Sequence, residues 1–514
     1  MEKNKIFYLL LFFSILLLSR CGTSQLQEGQ ENNGPRPNIV YILADDLGYG
    51  DVSSYNPEGR IKTPNIDRLA SDGIRFTDAH APASVCTPTR YALLTGEYAW
   101  RSRLPRGVLR GYGRSLIADS SYTVGSFLQK HGYHTAVIGK WHLGLDWSVK
   151  RGHDDALQPG SYGVNSSGFV QDMAPEHIDF AIPPVRGPLS RGFSYSFILP
   201  ASLDMDPYCY LENDTLVEAP SAYTPGNDLN TGYTGAFWRA GKMAPSFQFD
   251  QVLNIFTAKA VSYLKERASI QEPFFLYLPL AAPHTPWVPT DDFRNTSGAG
   301  TYGDFVQMVD HAVGNVINTL DSLGLGDNTL VIFTSDNGPF WRPEYVEKFG
   351  HRAAGNWRGM KADIWEGGHR IPFIVRWPEI VKAGAISQAP TTLANLGATC
   401  ADVLQAEMEE GLPRDSYSIL PVLTGESDSV PGQKAIVHHS SMGFFAVRQG
   451  AWKLMEKRGS GGFSLPQVYS PTQDEPEGQL YNLETDPLET QNLYDQMPGK
   501  VRELQSILDE IRTE

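Results

Sequence analysis

Pro37-Asn-Ile-Val-Tyr-Ile-Leu-Ala-Asp45-Asp46 is the stretch on which the fold turns. From Ile39 to Ala44 the chain is apolar without a break and rich in β-formers. A strand with one wet face alternates; a continuous run is covered on both faces, as in a parallel sheet sandwiched by helices. The run stops abruptly at two aspartates, and in open α/β sheets ligands bind just beyond the carboxyl ends of the strands. Outward from this strand the alternation continues. Thr63-Pro64 opens a segment with Ile66, Leu69 and Ala70 at helical spacing, closed by Gly73. Helices follow near 124–130, 250–267 and 302–323, with strands at 135–138, 274–278, 330–333 and 373–376. The pattern predicts an α/β fold with a large, mainly parallel β-sheet flanked by helices. After about residue 430 the texture changes to short strands at 435–438, 444–448 and 451–455 and a helix near 499–512, a small antiparallel sheet plus helix. The expected division is 37–430 for the α/β domain and 431–514 for a C-terminal α+β subdomain. The stretch 145–245, rich in Gly, Pro, Tyr and Asp without periodicity, reads as loops over the face of the sheet.

The 514 residues carry 43 basic and 58 acidic side chains, a formal charge of −15. That balance opposes nucleic acid as a partner, because nucleic-acid binding normally leaves a basic footprint. With 41% hydrophobic and 20% charged residues, the chain can bury large cores and is not disordered. Four cysteines are too few for a disulfide framework in this length. Lys3 and Lys5 precede an apolar run from Ile6 to Leu18, and polar residues follow Cys21. Such a run is short of the roughly 20 residues a membrane span needs, so 1–21 reads as a signal peptide and the protein as exported. A cysteine directly after the signal core resembles the lipidation site of bacterial lipoproteins, although Arg20 stands where small residues are usual. Cys21 is therefore a possible lipid anchor, 22–36 a tether, and the location the periplasm or cell surface of a bacterium.

Three strand ends bear unusual polar groups: Asp45-Asp46, Asp336-Asn337, and Lys140 with His142. Carboxylates and an amide oxygen converging from two strands make a hard oxygen site suited to Ca²⁺ or Mg²⁺. Between them in sequence lies Ser84-Val-Cys86-Thr87-Pro88-Thr89-Arg90-Tyr-Ala-Leu-Leu94-Thr95-Gly96.

Cys-x-Pro-x-Arg followed by Leu-Thr-Gly resembles the signature of the formylglycine-dependent sulfatases, of the arylsulfatase and N-acetylgalactosamine-6-sulfatase kind, within the alkaline phosphatase superfamily. The resemblance runs from Pro37 to about Leu493 and departs from the usual pattern at residue 89, Thr for the commoner Ser. It implies that Cys86 is oxidised to formylglycine by a maturing enzyme. It places Asp45, Asp46, Asp336 and Asn337, with residue 86, on one divalent cation, Ca²⁺ in the family. Arg90 matches the arginine supporting the formylglycine, and Lys140 and His142 match a Gly-Lys-Trp-His segment. His284 matches the histidine on the leaving-group side and Lys361 the sulfate-binding lysine. The resemblance also implies attack by a hydrated formylglycine, proton donation to the leaving alcohol by His284 or Lys361, and release of sulfate assisted by His142. Arg90, Lys140, Lys361 and the cation would neutralise the ester oxygens.

The substrate class follows more weakly. A segment around Ser202-Leu203-Asp204 and Pro207-Tyr208 resembles the variable pocket wall of those enzymes, so Asp204 and Tyr208 are candidates for sugar hydroxyl contacts. The reading is removal of sulfate, at a chain end, from a sulfated oligosaccharide or monosaccharide of galactose or N-acetylgalactosamine 6-sulfate type. The alternatives are a phosphate or phosphonate monoester hydrolase of the same superfamily, or a non-catalytic glycan-binding surface lipoprotein. His351, Arg352 and His369 also lie in the candidate region. Cys209 and Cys400 read as buried thiols, with a disulfide between them left open.

Overall fold

The computed structural model describes residues 36–154, 169–227, 237–408 and 413–513; the signal peptide, Cys21 and the tether expected at 22–36 lie, but for Arg36, outside them. Residues Pro37–Glu514 form one compact unit. Its centre is five parallel strands: β1 (Asn38–Ala44), β3 (His134–Lys140), β4 (Tyr195–Leu199), β5 (Phe274–Pro279) and β6 (Thr329–Ser335). They lie in the order β6-β1-β5-β3-β4. β1 lies between β6 and β5 and is buried on both faces, as its unbroken apolar run requires. β7 (Arg370–Arg376) adds to β6 antiparallel, and β2 (Ile74–His80) adds to β7 antiparallel. The expected strand at 373–376 is therefore present, but reversed.

Helices α1 (Pro64–Ser71), α4 (Val252–Arg267) and α5 (Gly300–Ser322) pack as one group, α4 and α1 each against α5. Helices α2 (Cys86–Thr95) and α3 (Val124–Lys130) pack with the Leu396–Leu404 helix in a second group. Among the described residues no helix is long and apolar enough to cross a membrane. The C-terminal strands Ile436–His439, Phe445–Gln449, Trp452–Met455 and Gln479–Asn482 form an antiparallel sheet, and the Pro498–Thr513 helix covers it.

Among the strands that escaped the sequence reading, two belong to the body of the main sheet. β4 lies inside 145–245, the stretch read as loops; its Tyr-Ser-Phe-Ile-Leu run is a short island among Gly and Pro residues. β2 carries Arg75, Asp78 and His80, and a buried strand with three ionisable groups does not look like one. Its charges are answered from elsewhere in the fold. Arg448 and Arg370 both pair with Asp78, at 2.7 Å each, and His80 Nε2 lies 2.7 Å from Asp78 Oδ1.

That pairing belongs to a larger buried network that bolts the C-terminal sheet to the main one. Lys453 Nζ donates to Glu366 Oε1 (3.0 Å), Glu489 Oε1 (2.8 Å) and His369 Nε2 (3.0 Å). With His369 Nε2 accepting, its Nδ1–H donates to His80 Nδ1 (3.0 Å), and His80 Nε2–H donates to Asp78. His438 lies over His369 with ring centroids 3.6 Å apart. Lys453, His80, His369 and His438 are fully buried. Their surroundings carry three carboxylates (Asp78, Glu366, Glu489) and three cations (Lys453, Arg370, Arg448), so charge balances only while the imidazoles are neutral.

Candidate functional site

The site is assembled at the carboxyl ends of the five parallel strands. Because Ala44 pairs in register with Ser335, the chain leaving β1 lies directly beside the chain leaving β6. Asp45-Asp46 therefore meets Asp336-Asn337 although about 290 residues separate them. Asp46 N donates to Asp336 Oδ1 (3.2 Å) and Asn337 Nδ2 donates to Asp46 Oδ1 (2.7 Å). Asp46 holds a left-handed φ of 63°, a conformation that costs a non-glycine residue about 1 kcal/mol or more and persists only where surroundings enforce it.

β3 delivers Lys140 as its last residue. Gly139 precedes it at φ 142°, and a Cβ there would lie 1.9 Å from the Pro279 carbonyl oxygen of β5, so only glycine lets these strand ends close up. Lys140 is fully buried, and its Nζ donates to Asp45 Oδ2 (2.7 Å) and Ser202 Oγ (3.2 Å). His142, at φ 56°, donates through Nε2 to Leu109 O (2.7 Å); its Nδ1 is buried without a hydrogen-bond partner. β5 leads into His284, whose Nδ1 donates to Thr285 O (2.5 Å) and whose Nε2 lies 3.6 Å from Asp46 Oδ2.

Cys86 opens α2, a helix buried along its whole length, so the residue sits at the positive end of a helix dipole. Its Sγ is 3.6 Å from Asp45 Oδ1 and 3.8 Å from Lys361 Nζ. One turn on, Arg90 grips Asp336 Oδ2 through Nε (3.1 Å) and Nη2 (2.8 Å), and donates to Lys140 O (2.9 Å). Lys361 Nζ reaches both Asp46 oxygens, at 2.7 and 2.8 Å. These residues line or underlie a cavity of about 310 Å³, walled further by Trp287, Phe340, Asp204, Arg239, Ser441 and Phe463.

Burial dominates the electrostatics and the partners set its outcome. Burial disfavours the Asp45 carboxylate, but Lys140, His284 and Arg90 hold its pKa well below the usual range. Burial and the neighbouring Asp45 push Asp336 up. Burial, with Lys140 and Arg90, holds His142 well below the ordinary histidine value, so its Nδ1 keeps a free lone pair. Burial and Lys361 lower His284 likewise. Burial works against the Lys361 ammonium, yet Asp46 raises its pKa, and burial raises the Cys86 thiol.

Carboxylates of Asp45, Asp46 and Asp336, with the Asn337 amide oxygen, form a hard oxygen set that can hold a divalent cation. Asn337 Oδ1 is buried and unpartnered, as an oxygen reserved for a cation would be. Asp45, Asp46, Cys86 and His284 also bring ligand atoms within 4.8 Å of one another.

All ten predicted positions from Asp45 to Lys361 converge here. Other expectations need correction. Tyr208 does not reach the cavity: it is fully buried, and its hydroxyl donates to Arg239 O (2.7 Å). Asp204 does line the cavity, with Oδ2 paired to Arg239 and Oδ1 buried without a partner. His351 bonds Asp51 Oδ1 (2.7 Å), and His369 belongs to the histidine network, so neither faces the cavity. Arg352 is exposed beside Tyr49 and Trp357. Cys209 and Cys400 are buried free thiols that do not pair. Arg239, Ser441 and Phe463 were missed. They sit in segments without periodicity or motif, and only the closing of loops brings them in.

The sulfatase family profile matches residues 37–406. An N-acetylgalactosamine-6-O-sulfatase of Bacteroides thetaiotaomicron is 33% identical, over 97% of this chain and 97% of that protein. Human arylsulfatase A is 30% identical, over 93% of this chain and 87% of its own length. A solved structure from work on glycosaminoglycan metabolism in Bacteroides thetaiotaomicron superposes with a TM-score of 0.78 at 32% identity, covering 94% of this chain and 100% of that one.

Proposed function

The chain belongs to the sulfatase family and is a sulfuric ester hydrolase, and from that premise we propose that it removes 6-O-sulfate from a terminal galactose- or N-acetylgalactosamine-type sugar. The convergence of Cys86, Lys140, His142, His284 and Lys361 on the oxygen set of Asp45, Asp46, Asp336 and Asn337 carries the reading of the chemistry. The 6-O-sulfatase relative supports the choice of sugar. In this proposal Cys86 is matured to formylglycine and the oxygen set holds Ca²⁺. Bound together, they supply a strong oxygen nucleophile of lowered pKa.

The protein's own residues do the rest. A sulfate ester is an anion that repels nucleophiles, so its oxygens must be neutralised. Lys361, kept charged by Asp46 and 3.8 Å from residue 86, does this from the cavity lining, and Lys140, bound to Asp45, adds its charge from behind that lining. Arg90 holds Asp336 and the end of β3 in place from beneath. His142, neutral with a free Nδ1, is placed to accept a proton beside residue 86. His284 has its Nδ1–H committed to Thr285 O, so any proton for the leaving alcohol is held at Nε2, next to Asp46. Lys361→Ala is expected to lower kcat by about 10²–10³-fold, the usual cost of one donor at a developing oxyanion. A steady-state assay giving an unchanged kcat would remove Lys361 from the reaction.

The apolar run Ile6–Leu18 followed by Cys21 supports export and lipid anchoring at Cys21. Two measurements test the function. Mass spectrometry of the Cys86 peptide from the native host should show loss of the thiol, and an unmodified thiol would remove the catalytic reading. Release of sulfate from 6-sulfated sugars should exceed release of phosphate from the matching phosphate esters; the reverse preference would replace a sulfatase with a phosphatase.

A further inference from the structure

The cavity has two unlike kinds of lining. One is the Asp204–Arg239 ion pair, with Asp204 Oδ1 unpartnered. Also lining the cavity are two phenyl rings, Phe340 and Phe463, set edge-to-face with centroids 5.6 Å apart. Phe340 follows β6, whereas Phe463 arrives from the C-terminal part of the chain and is 42% exposed. A phenyl ring left that open at the mouth of a polar site adds little to the core, and exposed apolar surface in such a place marks contact with something else.

The ring is nonetheless held firmly. Phe463 N (2.8 Å) and Ser464 N (3.0 Å) donate to Asp363 Oδ1, and the Ser464 hydroxyl donates to Asp363 Oδ2 (2.5 Å). The same Asp363 Oδ2 accepts from Met360 N (3.0 Å), the residue before Lys361. Asp363 is fully buried, and Ala362 beside it holds φ 76°. A Cβ on Gly462 would meet the Ala362 carbonyl at 2.3 Å, so the loop can approach only as glycine. One carboxylate thus ties the sulfate-facing lysine loop to the loop that presents Phe463.

A pyranose ring matches such a cavity. Its hydroxyl edge needs hydrogen-bond partners, and its C–H face carries a weak positive potential that suits the negative face of an aromatic ring. We propose that Phe463, backed by Phe340, is the wall on which the sulfated sugar stacks, and that Asp363 is the positioning residue that sets this wall at a fixed distance from Lys361. The proposal rests on the sulfated-sugar reading above and adds the residues that select a ring rather than any sulfate ester.

The test compares wild type, Phe463→Ala, Phe463→Tyr and Asp363→Asn on N-acetylgalactosamine 6-sulfate and galactose 6-sulfate, with inorganic sulfate as competitive inhibitor. Phe463→Ala is expected to raise KM by about ten-fold with little change in kcat. Its Ki for inorganic sulfate, which fills only the anionic end, should stay at the wild-type value, and Phe463→Tyr should restore KM. Asp363→Asn, which gives up half of the acceptor capacity, should raise KM and lower kcat together. A Phe463→Ala variant with wild-type KM overturns the stacking wall, as does a sulfate Ki that rises in step with KM. Wild-type protein that cleaves neither sugar overturns the functional reading, and the proposal with it.

Discussion

Cys86→Ser is expected to stop turnover while leaving the fold intact. Serine is slightly smaller than cysteine, and its hydroxyl can take up the neighbours the thiol has now, Asp45 Oδ1 at 3.6 Å and Lys361 Nζ at 3.8 Å. The helix that begins there is buried throughout and is anchored by Arg90 on Asp336, so the substitution has little to disturb. The chemistry is another matter. A serine has a single hydroxyl; if it takes sulfate, no second hydroxyl remains to reform a carbonyl and expel it. Steady-state kcat should fall by on the order of 10⁴-fold or more, and intact-protein mass spectrometry should show one sulfate per chain after exposure to substrate. Thermal unfolding should match the wild type. Turnover near the wild-type rate would sink the role assigned to residue 86. Cys209→Ser and Cys400→Ser, which alter buried thiols outside the cavity, should retain activity in whatever fraction folds.

The second large effect lies outside the cavity. Lys453→Met leaves Glu366 and Glu489 buried without the ammonium that bridges them at 3.0 and 2.8 Å. Breaking a buried pair from one side costs about 3–5 kcal/mol, a large part of the roughly 5–15 kcal/mol that holds a domain. The same network makes the wild type acid-sensitive. Burial lowers the pKa of His80, and burial with the neighbouring cations and histidines lowers His369 and His438 further. These groups stay neutral in the fold while the unfolded chain protonates near pH 6.5, so the unfolded state binds more protons. Their contribution is complete above about pH 6.5 and is lost as pH falls below it, by up to about 1.4 kcal/mol per histidine per pH unit. A further proton on His80, at Nδ1, also turns its hydrogen bond with His369 into two facing donors, and one on His369, at Nε2, faces the Lys453 ammonium. Urea unfolding at a series of pH values should show the midpoint dropping steeply from pH 6.5 to 5. A flat profile would mean that the histidines are charged in the fold. The double variant Lys453→Met with Glu489→Gln should be milder than Lys453→Met alone, because one stranded carboxylate has gone.

The chemistry of this protein is written largely in contiguous segments. The apolar run into Asp45-Asp46 and the short segments around Lys140 and His284 each state a residue type and a place at or just beyond a strand end, while the Cys86-to-Gly96 signature opens a helix and Lys361 lies in a loop. Strand ends are legible because a strand between two helical layers must be apolar throughout, and the first polar residue announces where it leaves the core. What could not be read follows from two physical limits. Buried ionisable groups look like surface until their partners are known, which hid β2 and the network of His80, His369 and Lys453. Loop residues carry no periodicity, so Arg239 and Phe463 gave no sign of facing the same cavity, while Tyr208, which looked like a sugar contact, points into the protein.

By itself, then, the sequence determined the fold class and the polar residues that leave the strand ends, because these depend on local pattern. Only the tertiary structure decided which side chains wall the cavity and which histidines stay neutral. Those depend on pairings between segments hundreds of residues apart, such as Asp45 with Lys140 and His369 with His80, and on the burial that only the closed fold creates.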